Sequence, residues 1–309
     1  MEEMTLQDIC KIYDCPHTTA KDEGVGIPLV RTPNVGKGRL VLTNVHRVNS
    51  DVYKERTLRA IPEEDDIIIA REAPVGNAAI IQKKQKVCLG QRVVLLKPNK
   101  ALVDPNFLVY YLLSNEVQHH LKIHANGAVV AHLNVADIRN LSVCLPSLCE
   151  QKKIGKSLKI IDDKIELNRR INDNLEHQAQ ALFKSWFVDF EPFKGEKFME
   201  SQLGMIPKGW KVGTLSDLLD IRYGKDHKKL NDGNVPVYGS GGIMRLADGI
   251  LYNGESVLIP RKGTLNNVLY VNWPFWAVDT MFYSIEKVPN VAKYCHLLLS
   301  KLDLSLIHI

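Results

Sequence analysis

The sequence predicts an α+β chain in which two similar modules are joined by one long coiled-coil-forming helix. Three observations carry this. Residues 147–190 read as an unbroken amphipathic helix. The segments on either side match one another block by block, in the same order. Both flanks consist of short apolar runs broken by Gly, Pro and Asn, the pattern of strands and turns. A chain of 309 residues with 45% hydrophobic and 24% charged residues can bury two cores.

The first module is expected over residues 1–146, the helix over 147–190, a linker over 191–204 and the second module over 205–309. Near the start of each module LQDICKIYDC faces LSDLLDIRYG, so that Leu6, Asp8 and Ile12 match Leu215, Asp217 and Ile221. GIPLVRTPNVGKG then faces NVPVYGSGG, with Pro28 opposite Pro236. DDIIIAREAPVGNAAII faces ESVLIPRKGTLNNVLYV, with Arg71 opposite Arg261 and Asn77 opposite Asn267. FLVYYLLS faces KYCHLLLSKL as one helical segment near the end of each copy. Four ordered matches point to duplication.

The helix opens after Pro146 with Ser147 and Glu150, three residues apart, the spacing of a capping box. Ile154, Leu158, Ile161, Ile165, Leu175, Ala179, Leu182 and Trp186 recur at coiled-coil spacing, with Asn168 and Asn172 as polar seam positions that penalise wrong registers. At 1.5 Å per residue the rod is roughly 60 Å long. Packing on its own module is the plain alternative, but the chain holds no second long helix to cover the seam.

Polar and basic residues sit on the turns of both modules. In the first these are Thr18, Thr19, Lys21, Arg31, Asn34, Lys37, Arg39, Arg71, Asn77 and Arg92; in the second, Tyr223, Lys225, Tyr238, Ser240, Arg261, Lys262, Thr264, Asn266 and Asn267. Arg and Lys neutralise phosphates, and Arg and Asn can read base edges in pairs of hydrogen bonds. A solvated loop is the plainer role for any one of them. The loops around Arg71 and Arg261 stand out because both copies keep basic and amide residues there. The net charge of +5 permits phosphate binding without demanding it.

Chemistry is harder to find. GSGG at 239–242 lacks the Lys-Ser/Thr that would make it a phosphate loop, and no methyltransferase loop, nucleophile elbow or H-E-x-x-H motif occurs. The acidic run Glu63, Glu64, Asp65, Asp66 reads as a solvated turn. Six Cys show no C-x-x-C pair, so no catalytic or metal site is expected. The N-terminus has no signal-peptide core and no run is long enough for a membrane span, which places the expected location in the cytoplasm.

LPSLCEQKKIGKSLKIIDDKIELNRRINDNLEHQAQALFKSWFVDFEPF closely resembles the central conserved region of type I restriction–modification specificity subunits. GMIPKGWKVGTLSDLLDI, VPVYGSGG, ESVLIPRKGT, DCPHTTAK and GIPLVRTPNVGKG resemble parts of their target recognition domains, so the likeness runs from about Leu6 to Leu302. It implies that each module reads one half of a bipartite double-stranded DNA target, and that paired antiparallel helices set the gap. It implies that methyltransferase subunits dock on the rod around Gln151 to Phe190, and that a translocating endonuclease subunit joins them. S-adenosylmethionine, ATP and Mg would then be held by the partners, with no cofactor and no catalysis on this chain. The pattern departs at the C-terminus, where the family repeats the rod and this chain stops at Ile309. The tail LSLIHI at 304–309 is expected to be foreign sequence of the kind a sequencing adapter encodes; were the truncation natural, a second copy of the rod would be expected to cover the seam.

A DNA-reading subunit is thus the expected function, with a coiled-coil protein–protein adaptor as the alternative and a stand-alone nuclease as a third. Steep salt dependence of binding separates the first from the second, and metal-dependent cleavage marks the third.

Overall fold

The protein is described by a computed structural model, over residues 3–125 and 131–304; of the tail named above, 305–309 lie outside the described residues. The chain divides into two compact units, residues 1–169 and 170–309.

In the first unit the order is β1 (Glu3–Thr5), α1 (Leu6–Ile9), β2 (Cys10–Asp14), β3 (Ile27–Val30), β4 (Gly38–Arg39), β5 (Arg47–Val48), α2 (Ser50–Arg56), β6 (Ile67–Ala70), β7 (Ala78–Ile80), β8 (Cys88–Leu89) and β9 (Val93–Pro98). Then come α3 (Pro105–Leu112), α4 (Asn115–Ile123), α5 (Val135–Arg139), β10 (Ser142–Cys144) and the long α6 (Leu148–Phe187), whose residues from 170 on belong to the second unit. Five strands form a sheet in the order β2-β9-β6-β7-β4, and β5-β3-β8 form a second. β6 is the uninterrupted run Ile67–Ala70 because both its faces are covered: Ile67 and Ile69 face one core with Leu6, Ile9, Val94 and Leu108, and Ile68 and Ala70 face another with Cys15, Val30, Val93 and Leu95.

The second unit repeats this plan. After a hairpin of β11 (Phe198–Ser201) and β12 (Gly204–Pro207) come α7 (Leu215–Leu218), β13 (Leu219–Tyr223), β14 (Val235–Gly239), β15 (Gly242–Ala247), β16 (Ser256–Pro260), β17 (Leu269–Val271), β18 (Trp276–Ala277), β19 (Met281–Glu286) and α8 (Ala292–Leu299). The order β13-β19-β16-β17 copies β2-β9-β6-β7, and the parallel pair β14·β18 copies β3·β8. Register agrees as well. Ile68 pairs with Ala79 and the matching Leu258 with Leu269, while Ala70 pairs with Val93 and the matching Pro260 with Met281. Even the first cap recurs: the Asp8 carboxylate accepts the Thr5 amide at 2.8 Å, and that of Asp217 accepts the Thr214 amide at 2.6 Å.

The stretch expected to be a linker is folded. β11 and β12 pair across residues 198–207, and Trp210 packs its ring against Phe187, Phe190 and Phe193 at 5.2–6.1 Å between centroids. Phe190 adopts φ +54, a conformation usually left to glycine just beyond a helix, and its edge-on contacts with Trp210 and Phe198 offset the backbone strain. The acidic run is a turn with Glu63 and Glu64 exposed, as expected, except at its last residue. Asp66 is buried, and Lys97 bridges its carboxylate at 2.8 Å to that of Glu63 at 2.7 Å.

Helix α6 begins as expected, with the Ser147 amide donating to the Glu150 carboxylate at 3.0 Å and the Glu150 amide to the Ser147 hydroxyl at 3.4 Å. It does pack on its own unit, but through a polar stripe rather than its apolar seam. The buried Gln151 accepts the Asp104 amide at 2.9 Å and donates to the carbonyls of Pro146 (2.9 Å) and Leu102 (3.3 Å). One turn on, Gly155 lets the helix ride on the start of α3, where a Cβ would lie 2.6 Å from the Phe107 amide nitrogen. Asp162 then accepts the Tyr110 hydroxyl at 3.1 Å and pairs with Arg39 at 3.5 Å, and Asp163 pairs with Arg39 too. The seam residues Ile154, Leu158, Ile161 and Ile165 stay exposed. In the second unit Phe183 is buried and stacks on Tyr294 of α8 at 5.4 Å, leaving Leu175, Leu182 and Trp186 exposed. Ile160, Leu167 and Ile171 are exposed as well, so the uncovered apolar face is broader than the seam read from the sequence.

Candidate nucleic-acid interface

The polar turn residues of the first unit fall into two groups. Around β8 and the start of β9 the fold gathers the loop of Thr18, Thr19 and Lys21 with Arg31, Arg71 and Arg92. Arg56, whose side chain donates to the carbonyls of Leu89 (2.9 Å) and Thr18 (3.0 Å), ties the first loop to β8. Gln91 donates to the His17 carbonyl, and the Gly90 amide to the Val30 carbonyl at 2.7 Å. Thr18, Thr19, Lys21 and Arg92 are exposed on this rim, with Arg31 half-buried. Asn34, Lys37, Arg39 and Asn77 form the other group. Lys37 is exposed, but Arg39 is turned onto Asp162 and Asp163 of α6. Burial alone would push the Asp163 carboxyl up; Arg39 and Lys159 outweigh it and hold the group below its ordinary value.

Several residues expected to face DNA are spent inside the fold. Arg71 is buried, donating from Nε to the Leu133 carbonyl at 2.9 Å and from Nη1 to Asp14 at 3.0 Å, with Nη2 2.7 Å from His132. A guanidinium so used cannot fork onto a base. Asn34 is buried; its carbonyl oxygen accepts the Arg31 amide and its nitrogen donates to the Val41 carbonyl. Asn77 and its counterpart Asn267 each close a turn, donating to the carbonyls of Val35 (2.9 Å) and Ser240 (2.7 Å). The duplication therefore preserved these amides as turn ties, which explains their recurrence without any base contact. Tyr238 is buried and accepts the Trp273 indole N–H at 3.1 Å. Asn266 is tied to Asp303 and to the Leu304 amide.

What stays available in the second unit is Tyr223, Lys225, Lys262 and Thr264, all exposed, with the Ser240 side chain half-buried near them. Arg261 lies over the rings of Tyr223 (4.7 Å) and Phe282 (5.1 Å) and donates to the Asp279 carbonyl at 2.9 Å. The matching arginines are thus held differently, by Asp14 in one unit and by Tyr223 at the same strand position in the other. Sequence reasoning missed Asp14, Glu72, His132 and Trp273; the Arg71–Asp14, Arg71–His132, His132–Glu72 and Trp273–Tyr238 contacts span 35–61 residues of chain. No local signal marks such pairs.

Among the described residues no group of three or more His, Cys, Asp or Glu could hold a metal ion. No described helix is long and apolar enough to cross a membrane.

Over 181 residues the chain is 33% identical to the MjaIX type I restriction enzyme specificity subunit of Methanocaldococcus jannaschii, covering 58% of this chain and 41% of that protein. Over 107 residues it is 39% identical to the HindI specificity subunit of Haemophilus influenzae, covering 34% of this chain and 23% of that one. The chain thus spans less than half the length of these curated relatives. Its fold is similar to the crystal structure of a type I restriction–modification S subunit from M. genitalium, with TM-score 0.58 and 16% identity over 99% of this chain and 78% of that one. The type I restriction modification DNA specificity domain matches residues 1–177 and 207–308, and the chain belongs to that family.

Proposed function

We propose that this chain is a DNA sequence-recognition subunit of a type I restriction–modification complex, with each unit reading one half of a bipartite target. The observation that carries this is the duplication: two units of one topology and register, in a family of DNA specificity domains, each presenting exposed basic or hydroxyl-bearing loops. A duplex is long and repetitive, so two copies of one reader in one chain suit two short sites along it.

The uncovered face of α6, with Ile161, Ile165, Leu175 and Leu182 exposed, supports docking of methyltransferase subunits or of a second rod. Apolar side chains on a water-facing helix gain most by being covered. S-adenosylmethionine, ATP and Mg would be carried by the methyltransferase and by an endonuclease or translocase subunit, and this chain would contribute recognition and assembly rather than chemistry.

The test is to co-express the chain with a type I methyltransferase and map methylated adenines over the host genome. Methylation at a two-part motif with a constant gap is the expected result. Co-purification with no methylated motif would refute DNA reading, and failure to co-purify would refute the docking role of α6.

A further inference from the structure

We propose that Arg92 reads a guanine in the half-site bound by the first unit, with Glu72 as its positioning residue; this rests on the DNA-reading function above. Four side chains run in series from the core to the rim. Arg71 Nη2 lies 2.7 Å from His132 Nε2. A guanidinium only donates, so Nε2 is the bare ring nitrogen and Nδ1 carries the proton it gives to Glu72 Oε1 at 3.0 Å. The other Glu72 oxygen pairs with Arg92 Nη1 at 2.6 Å. Glu72 is 14% exposed and Arg92 is 62% exposed, so the chain ends in a water-facing guanidinium held from below.

The backbone beneath Arg92 is fixed too. Arg92 sits at φ +62, a conformation that costs a non-glycine residue energy and persists only where its surroundings enforce it. Its carbonyl accepts the Arg71 amide at 2.9 Å, and the neighbouring Gln91 is tied to the His17 carbonyl. Among the described residues Glu72 is the ion-pair partner of the Arg92 side chain.

That arrangement suits a base better than a phosphate. A carboxylate beside a guanidinium cancels much of its charge, which weakens attraction to phosphate, but it leaves a parallel pair of N–H donors fixed in direction. Guanine offers O6 and N7 as two acceptors in the major groove, the best match for such a pair. The second unit lacks the device. Thr280 takes the place of Arg92, since its carbonyl accepts the Arg261 amide at 2.9 Å, and Lys262 takes the place of Glu72. The guanine contact therefore belongs to one half-site only.

The experiment incubates the purified complex of the full chain and its methyltransferase with a pool of duplexes randomised in both half-sites, then sequences the bound fraction. The unmutated chain should enrich a two-part motif with a guanine in one half. Arg92→Ala should lower the preference at that single position about tenfold or more. Arg92→Lys, which keeps the charge but not the fork, should lose the same preference with little change in overall binding. Glu72→Ala should weaken it at the same position, and Glu72→Gln, which keeps an acceptor, should weaken it less. An unchanged motif in both Arg92 variants overturns the proposal, as does an equal loss at every position, which marks a phosphate contact. No enrichment by the unmutated chain overturns the DNA-reading function itself, and Arg92 as a reader with it.

Discussion

Replacing Gly155 by alanine should destabilise the protein, although the same change in an open helix would help it. Alanine is favoured over glycine inside a helix by about 1 kcal/mol. At this position the added Cβ would sit 2.6 Å from the Phe107 amide nitrogen and 2.7 Å from Asp104 Oδ1. Neither can move cheaply, because the Phe107 amide is bound to that same carboxylate at 2.9 Å as the cap of α3. The helix must lift by several tenths of an ångström. Overpacking of this kind costs about 1–3 kcal/mol. Lifting also stretches the three hydrogen bonds of Gln151 and the one between Tyr110 and Asp162, each of which contributes about 0.5–1.5 kcal/mol when well formed. After subtracting the propensity gain, a net loss of about 1–3 kcal/mol is expected. Urea unfolding reads it as a lower midpoint, by roughly 1 M at ordinary denaturant sensitivity. Lys156→Ala, one exposed residue further along the same helix, is the control and should leave the midpoint nearly unchanged. A Gly155→Ala protein more stable than the parent would refute the close approach of α6 to α3.

Arg71→Ala should cost about 2 kcal/mol in urea unfolding, because it takes the guanidinium away from the half-buried Asp14 and His132, whereas Arg261→Ala, which removes ring contacts at a partly exposed site, should cost about 1 kcal/mol. Equal costs would contradict the different settings of these matched arginines. Burial pushes the His296 imidazole below its ordinary value, so the fold favours the neutral ring. That contribution is complete above about pH 6.5 and is lost as pH falls toward the folded value, so the protection factors of the α8 amides, corrected for intrinsic exchange, should fall on acidification and lose that dependence in His296→Gln. Burial pushes the Cys10 thiol up to about 12 and those of Cys88 and Cys295 up to about 11, and Cys15 is buried with them. Alkylation of the native protein at pH 8 should therefore mark the exposed Cys144 and Cys149, and intact mass should show two adducts. Ile161→Asp with Leu175→Asp should leave stability within about 0.5 kcal/mol because both side chains are exposed, yet abolish co-purification with the methyltransferase; stable co-purification would show that this face is not the dock.

The duplication and the rod were legible in the residues because both are patterns of local spacing. Apolar alternation dictates strands whatever lies beyond them, and Ser147 with Glu150 closes a helix end using groups three residues apart. The match of Arg71 to Arg261 and of Asn77 to Asn267 was real as well, since strand register places each pair alike. Their chemistry was not legible. An arginine in a turn reads the same whether it faces water or a half-buried carboxylate, and the side-chain partners of Arg71 lie 57 to 62 residues away. The helix shows the same division. Its seam follows from a repeat in the sequence, but the stripe that grips the first unit (Gln151, Gly155 and Asp162) is polar or bare and carries no hydrophobic signal. The folded character of the stretch expected as a linker at 191–204 was not legible for a related reason: the hairpin at 198–207 and the rings around Trp210 hold through contacts that residue-by-residue propensity does not register. Sequence alone determined the rod, the strand-rich character of the two flanks and their repetition, since these follow from short-range sterics and periodic burial. Only the tertiary structure decided which polar groups are satisfied inside and which, like Arg92, still have hydrogen bonds to give, because satisfaction depends on what the rest of the chain brings within 3 Å.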